Sequence, residues 1–191
     1  MSLLYAVRCN FARQDLETAW NDWYNGPKLK QMLAKPLFLS GQRFAAVDLD
    51  VGRKYLALWT VESDQAFSTP EYRSDWGFFE WAPHITDWNR DLYGIEKGEI
   101  RNMIAVPPQA ALYLVSFDDL SVEEAETKRA RFAPFRPQVH WFNAVGLDKR
   151  SPILGLYVAP SREWRPAPAE HVEGVRETMY HPICPYTEAS Q

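Results

Sequence analysis

Two segments of this chain, each nearly half of its 191 residues, run through the same order of strand, helix, strand, strand, helix, strand. That repeat restricts the fold more than any single motif does, because repeats of this length point to two joined units and not to a solenoid. In the first segment, the run from Leu3 to Asn10 precedes an aromatic-rich helix and two strand-like runs, Gln42 to Asp48 and Tyr55 to Glu62. A short helix from Ser68 and a strand through Trp88 to Tyr93 complete it. In the second, Ala111 to Phe117 precedes the charged helix SVEEAETKRARF, then Val139 to Gly146, Ile153 to Val158, a helical Ala169 to Tyr180 and a short tail at Ile183 to Tyr186. The expected organisation is a first unit over residues 1–96, a linker over 97–109 and a second unit over 110–191. The boundary rests on KGEIRN and the Pro107-Pro108 pair, which interrupt the apolar pattern. Arg101 to Val106 has an alternative reading as an extra strand, and Pro160 to Pro168 reads as an extended, exposed loop.

In the first strand Leu3, Tyr5, Val7 and Cys9 share one face, and Leu4, Ala6, Arg8 and Asn10 the other. Apolar residues on both faces call for a cover on each: helices on one side and, on the other, the second unit's sheet packed face to face. With both units on one chain, a single chain supplies both halves, so a monomer is expected over a dimer.

A chain that is 46% hydrophobic and 24% charged has enough apolar surface for a core that needs neither disulfide nor metal. Cys9 and Cys184 therefore read as buried thiols. A net charge of -4 argues against nucleic acid as a partner, since that affinity rests on Lys and Arg neutralising phosphates. The longest apolar runs fall short of the roughly 20 residues of a membrane span, and MSLLYAVRCNF is too polar for a secretory signal. The expectations are a cytoplasmic location with no membrane partner.

Leu16, Ala19, Trp20 and Trp23 follow the spacing of a buried helical stripe, which Asn25-Gly26-Pro27 ends. Pro27 then suits the first turn of a second helical piece through Leu33. The run WNDWYNGPKLKQMLAKPLFLSGQRF, followed by KYLALWTVES and STPEYRS, resembles the dimeric α+β barrel superfamily, in its EthD-like and antibiotic-monooxygenase-like branches. The matching positions are Trp23, Tyr24, Arg43, Tyr55 to Leu58, and Pro70 to Tyr72, all in the first half. The resemblance implies an α+β fold in which two ferredoxin-like βαββαβ units form one intrachain α+β barrel. Where those branches carry an acidic residue and a His, this chain has Pro27-Lys28. A His general base at that point does not carry over.

The candidate catalytic residues are Lys28 and Arg43. Lys28 is either a solvated helix lysine or an ammonium among aromatic walls that binds an acidic oxygen, with burial lowering its pKa far enough for base chemistry. Arg43, on an apolar strand, is either one half of a surface ion pair or a buried cation polarising a ligand oxygen. Trp20, Trp23, Tyr24, Trp59 and Trp88 are the candidate ligand-binding aromatics, with core packing as the alternative. The run WGFFEW from Trp76 to Trp81 is too apolar for one helix face and suggests a contact with the other unit or a partner chain.

His84, His140, His171 and His181 lack ligand spacing, so no metal is expected. No phosphate loop, dinucleotide fingerprint or GxSxG motif occurs, and no cofactor is expected. The superfamily does include tandem barrels that are haem enzymes with an axial His on a helix of one unit, and His171 is the one histidine placed on a helix here. A polar surface histidine is its ordinary reading. Two functions fit: a cofactor-independent oxygenase, isomerase or decarboxylase acting on a small aromatic or polyketide-like compound, or a non-catalytic ligand-binding or interaction protein that kept the scaffold and lost the His.

Overall fold

The computed structural model describes residues 2–49, 52–95, 99–169 and 171–190. Eight strands make one closed antiparallel barrel: β1 (Leu3–Phe11), β2 (Phe38–Leu49), β3 (Tyr55–Val61), β4 (Ile85–Gly94), β5 (Ala111–Ser116), β6 (His140–Leu147), β7 (Ile153–Ala159) and β8 (Arg176–Pro182). They pair in the order β3-β1-β4-β6-β7-β5-β8-β2, and β2 returns to β3. A two-residue strand, β9 (Thr187–Glu188), extends the sheet at Ser40 and Gly41 of β2.

The two halves meet at two seams. Asp91 of β4 lies opposite Leu147 of β6, and Phe44 of β2 lies opposite Pro182 of β8. The sheets are thus joined edge to edge, not stacked as two separate layers. Closure satisfies the outer N–H and C=O groups that each half would otherwise leave unpaired. Both strand faces are covered, as the alternation required. Leu4 and Ala6 of β1, Leu56 and Leu58 of β3, and Leu112 and Leu114 of β5 fill the barrel interior. Tyr5, Val7 and Cys9 face outward beneath the helices of the first half.

The second half departs from expectation after β7. The segment 169–180, read as a helix, contains turns and then β8, and Glu170 lies outside the described residues. In β8, Tyr180 enters the barrel interior and Met179 packs on the outer face, a period of two that the central position between β5 and β2 imposes. The short tail expected at Ile183 to Tyr186 is the connection between β8 and β9. The loop from Pro160 is not fully extended into solvent either, because Trp164 packs edge-on to Tyr113 and against Tyr157.

Residues 97 and 98 of the expected linker lie outside the described residues. Beyond them the chain forms a short helix (Arg101–Ile104) where an extra strand was the alternative. Ile100, Met103, Ile104 and Val106 join the interior cluster, and Gln42 exchanges two hydrogen bonds with the Val106 backbone. This segment plugs one end of the barrel.

Toward the other end the interior is ionic. The buried Arg8 guanidinium donates to Asp118 Oδ1 at 2.6 Å and lies 3.6 Å from Asp91, while Arg53 donates to Asp118 Oδ2 at 3.2 Å. Tyr93 and Asn89 donate to Asp91, and Ser116 donates to Asp118. Charges so buried persist only with such complete pairing.

The helix Val122–Phe132 covers the second half. Its start is set by a capping box in which Ser121 Oγ accepts from the Glu124 N–H at 3.2 Å and Glu124 accepts from the Ser121 N–H at 2.8 Å. Ser121→Ala should cost about 1 kcal/mol. Thermal or urea unfolding checks this, and an unchanged midpoint would show that tertiary packing alone holds that end.

Candidate active site

Label the helices of the first half α1 (Glu17–Trp23), α2 (Leu29–Leu33) and α3 (Pro70–Ser74). Between α1 and α2 the backbone widens into a π-turn, Tyr24–Lys28, with Pro27 inside it. Pro27 has no N–H to give to the preceding turn, and a wide turn is where a helix absorbs that loss. The α3 start is fixed by Thr69, whose Oγ1 accepts from the Tyr72 N–H at 3.2 Å. These local features hold Lys28 and Tyr72 on opposite sides of one cleft.

The cleft lies between sheet and helices of the first half and is a narrow cavity of about 30 Å³; the space out to its open mouth brings this to about 350 Å³. Tyr5 and Val7 of β1, Trp59 of β3, and Trp88 and Arg90 of β4 form its floor. Tyr24, Lys28 and Met32 form one wall, and Tyr72 with the segment Trp76 to Phe78 forms the other. Two lining residues are cations and none is an acid.

Its polar groups gather on the Tyr72 side. The Tyr5 and Tyr72 hydroxyls are 3.3 Å apart, and Arg90 Nη1 donates to the Tyr72 hydroxyl at 3.4 Å. The Arg90 guanidinium lies 4.5 Å from the Trp76 ring centre and 5.6 Å from that of Trp88. Burial, then the neighbouring Tyr72, pushes the Tyr5 phenol well up, so it stays protonated and able to donate. Arg90 Nε and Trp59 Nε1 are buried without a hydrogen-bond partner. The cleft thus holds unspent donors and no acceptor that carries charge.

Lys28 is only 4% exposed. Its Nζ donates to Gln31 Oε1 at 3.0 Å and sits 4.8 Å from the Phe79 ring centre. Burial first, then the nearby Lys35, lowers its pKa to about 8 against a partial opposing pull from Asp75. The solvated-lysine alternative is therefore set aside.

Arg43 is buried but does not line the cleft. It sits behind Tyr24, beside a separate small void, with its guanidinium 4.0 Å from the Tyr24 ring centre and 4.8 Å from that of Trp20. Nη1 donates to Asn25 Oδ1 at 2.6 Å and Nη2 to Asn21 Oδ1 at 3.1 Å. It braces α1 and the π-turn, so its geometry is that of a positioning residue. Cys9 lines the same void, its thiol pushed up to about 12 chiefly by burial.

Of the five candidate aromatics, Tyr24, Trp59 and Trp88 line the cleft. Trp20 is core, stacked on Phe11 at 4.6 Å, and Trp23 lines an outer groove with Pro27, Lys28, Gln31, Phe79 and Glu80, so Lys28 stands between groove and cleft. The run from Trp76 divides: Trp76 and Phe78 close over the cleft, whereas Phe79 and Trp81 approach Trp23. Sequence reasoning missed Tyr5, Tyr72 and Arg90 as site residues. Arg90 carries a usable signal, since it lies two residues after Trp88 on the same strand face.

His171 lies exposed in the coil before β8, on no helix. The corresponding outer face of the second half is filled by Tyr113, Val115, Phe132 and Met179. These residues do not fit a haem. Among the described residues, no cluster of three or more His, Cys, Asp or Glu has the arrangement of a metal site. No described helix is long and apolar enough to cross a membrane.

The closed eight-stranded barrel with helices on its outer faces is an α+β barrel fold. Among solved structures, an anthrone oxidase-like protein superposes over 100% of this chain and 94% of its own, with a TM-score of 0.58 at 11% identity. A candidate monooxygenase from Fusobacterium nucleatum covers 100% of this chain and 98% of its own, with a TM-score of 0.53 at 11% identity. A mutant chlorite dismutase from Candidatus Nitrospira defluvii covers 95% and 92%, with a TM-score of 0.51 at 8% identity. Identities this low establish shared fold alone. Neither a protein-family model nor a curated protein matches the chain.

Proposed function

We propose that this protein binds flat, oxygen-bearing aromatic compounds in the first-half cleft and transforms them without a cofactor, as an oxygenase, isomerase or decarboxylase. The observation that carries this reading is the cleft itself: aromatic walls, two cations, unpaired buried donors and no acid. Such a lining favours a ring system whose oxygen takes on negative charge, because Arg90, Trp59 and the Tyr5 and Tyr72 hydroxyls can donate to it. The similarity in fold to an anthrone oxidase-like protein and a candidate monooxygenase supports the oxygenase branch of the proposal. Lys28 in the cleft wall favours chemistry over the alternative of a non-catalytic binder.

Titrating 2-naphthol while following tryptophan fluorescence tests the binding step, and oxygen uptake with hydroxylated anthracenes tests the reaction. Arg90→Leu should weaken 2-naphthol binding by about 1 to 3 kcal/mol through loss of a charged donor. Equal affinity in wild type and variant would remove Arg90 from the site, and no saturable quenching in either would remove the cleft.

A further inference from the structure

Lys28 differs from an ordinary lysine in what it lacks. Its ammonium is buried, yet no carboxylate lies within ion-pair distance among the described residues. Its hydrogen-bond partner is the neutral amide oxygen of Gln31. Asp75, the acid whose charge it feels, is already engaged by Gln31 Nε2 at 2.5 Å and by Lys35 Nζ at 3.8 Å. Lys35 itself is held by the Glu71 carbonyl at 2.7 Å. A desolvated amine beside a second cation is the arrangement that turns lysine into a nucleophile.

We propose that Lys28 is a covalent catalytic residue, whose amine adds to the carbonyl carbon of an aldehyde or ketone on an aromatic ligand in the cleft and forms an imine. The nitrogen lone pair makes the C–N bond as the C=O π pair moves to oxygen. That oxygen leaves as water, taking one hydrogen from nitrogen and one from solvent, and a protonated iminium remains. The iminium draws electrons from the adjacent carbon, so a proton or carbon dioxide is lost there more readily. Reprotonation at carbon and hydrolysis return the amine, and no oxidant is required. The proposal rests on the cleft as the binding site and assigns the carbonyl-bearing members of its ligand class to Lys28.

The groups facing Lys28 agree with this chemistry. Lys35 and Asp75 set its charge balance; Gln31 and Phe79, which contact its amine, line the outer groove together with Lys28 and Glu80, and Arg90, Tyr5, Tyr24 and Tyr72 line the cleft that Lys28 borders on its other side. With ionisation near 8 instead of the ordinary 10.5, on the order of a hundred times more of it is free amine at neutral pH.

The test is reductive trapping on the full chain at pH 7.5, with 4-hydroxybenzaldehyde and sodium cyanoborohydride, followed by peptide mass spectrometry of each lysine. Lys28 should label at least about tenfold faster than the exposed Lys149, with a rate that climbs through pH 8. Lys28→Arg should lose that adduct while the labelling rates of the other lysines, Lys149 among them, stay unchanged. Labelling of Lys28 no faster than Lys149 overturns the imine; if 2-naphthol still binds wild type, the cleft assignment survives that failure. Absence of both labelling and binding overturns the two together.

Discussion

Asp118→Ala should destabilise the protein by about 3 to 5 kcal/mol, a large part of the 5 to 15 kcal/mol that a typical domain has. Asp118 is the acid that both Arg8 and Arg53 contact, and the two arginines are 3% and 5% exposed. Removing the carboxylate takes away the acid that both guanidinium groups share and leaves Arg8 with Asp91 at 3.6 Å and Arg53 with Asp87 at 3.3 Å. Urea unfolding provides the measurement, and a loss under about 1 kcal/mol would show that the barrel end relaxes to admit solvent. The pH dependence has a definite sign. Burial acts to raise the Asp118 pKa, but Arg8 and Arg53 outweigh it and hold the carboxyl below its ordinary value. A depressed folded value means that the stabilisation is complete above the ordinary carboxylate range of about 4 and is lost as the pH falls through that range toward the folded value. Wild type should therefore weaken on acidification more steeply than Asp118→Ala.

Lys28→Met should act in the opposite direction, raising stability at pH 7 by about 2 kcal/mol while abolishing imine formation. The folded protein holds the ammonium at a pKa of about 8, and the unfolded chain at 10.5. The unfolded state thus binds more protons between those values, and stability from this group rises with pH across that window. Below pH 8 its full cost is present. The stability difference between wild type and Lys28→Met should shrink from pH 8 to 10.5, which paired urea titrations measure. A variant less stable than wild type at pH 7 would show that Met cannot occupy the space beside Phe79 and Met32, or that the amine is better satisfied than its contacts indicate.

The barrel was legible where apolar residues occupied both faces of a run. Leu3 to Cys9, Tyr55 to Val61 and Ala111 to Ser116 show both faces apolar, and each became a central strand. The segment 169–180 misled because Glu, Arg, Met and Ala suit a helix locally. Its strand state comes from partners 60 to 134 residues away in sequence, and no local pattern reports them. The cleft was half legible. The helix with Trp20 and Lys28 marks one wall, and the strands with Trp59 and Trp88 mark the floor. Arg43 and Arg90 both sit on strands among aromatics, but only packing shows that Tyr24 covers the first and leaves the second in the cleft.

The two seams of the barrel also loosen a constraint on evolution. When two identical chains close such a barrel, every substitution appears twice, and a cleft opened in one half is opened in the other. Here one chain supplies all eight strands, so each half is free to change alone. Tyr5 and Tyr113 are each the third residue of their strand, in LLY and ALY, yet their surroundings differ. Tyr5 looks onto the cleft with Tyr72, whereas Tyr113 is bound by Arg136 and Glu177 and covered by Trp164. The first half keeps an open cleft at that place, and the second half fills it.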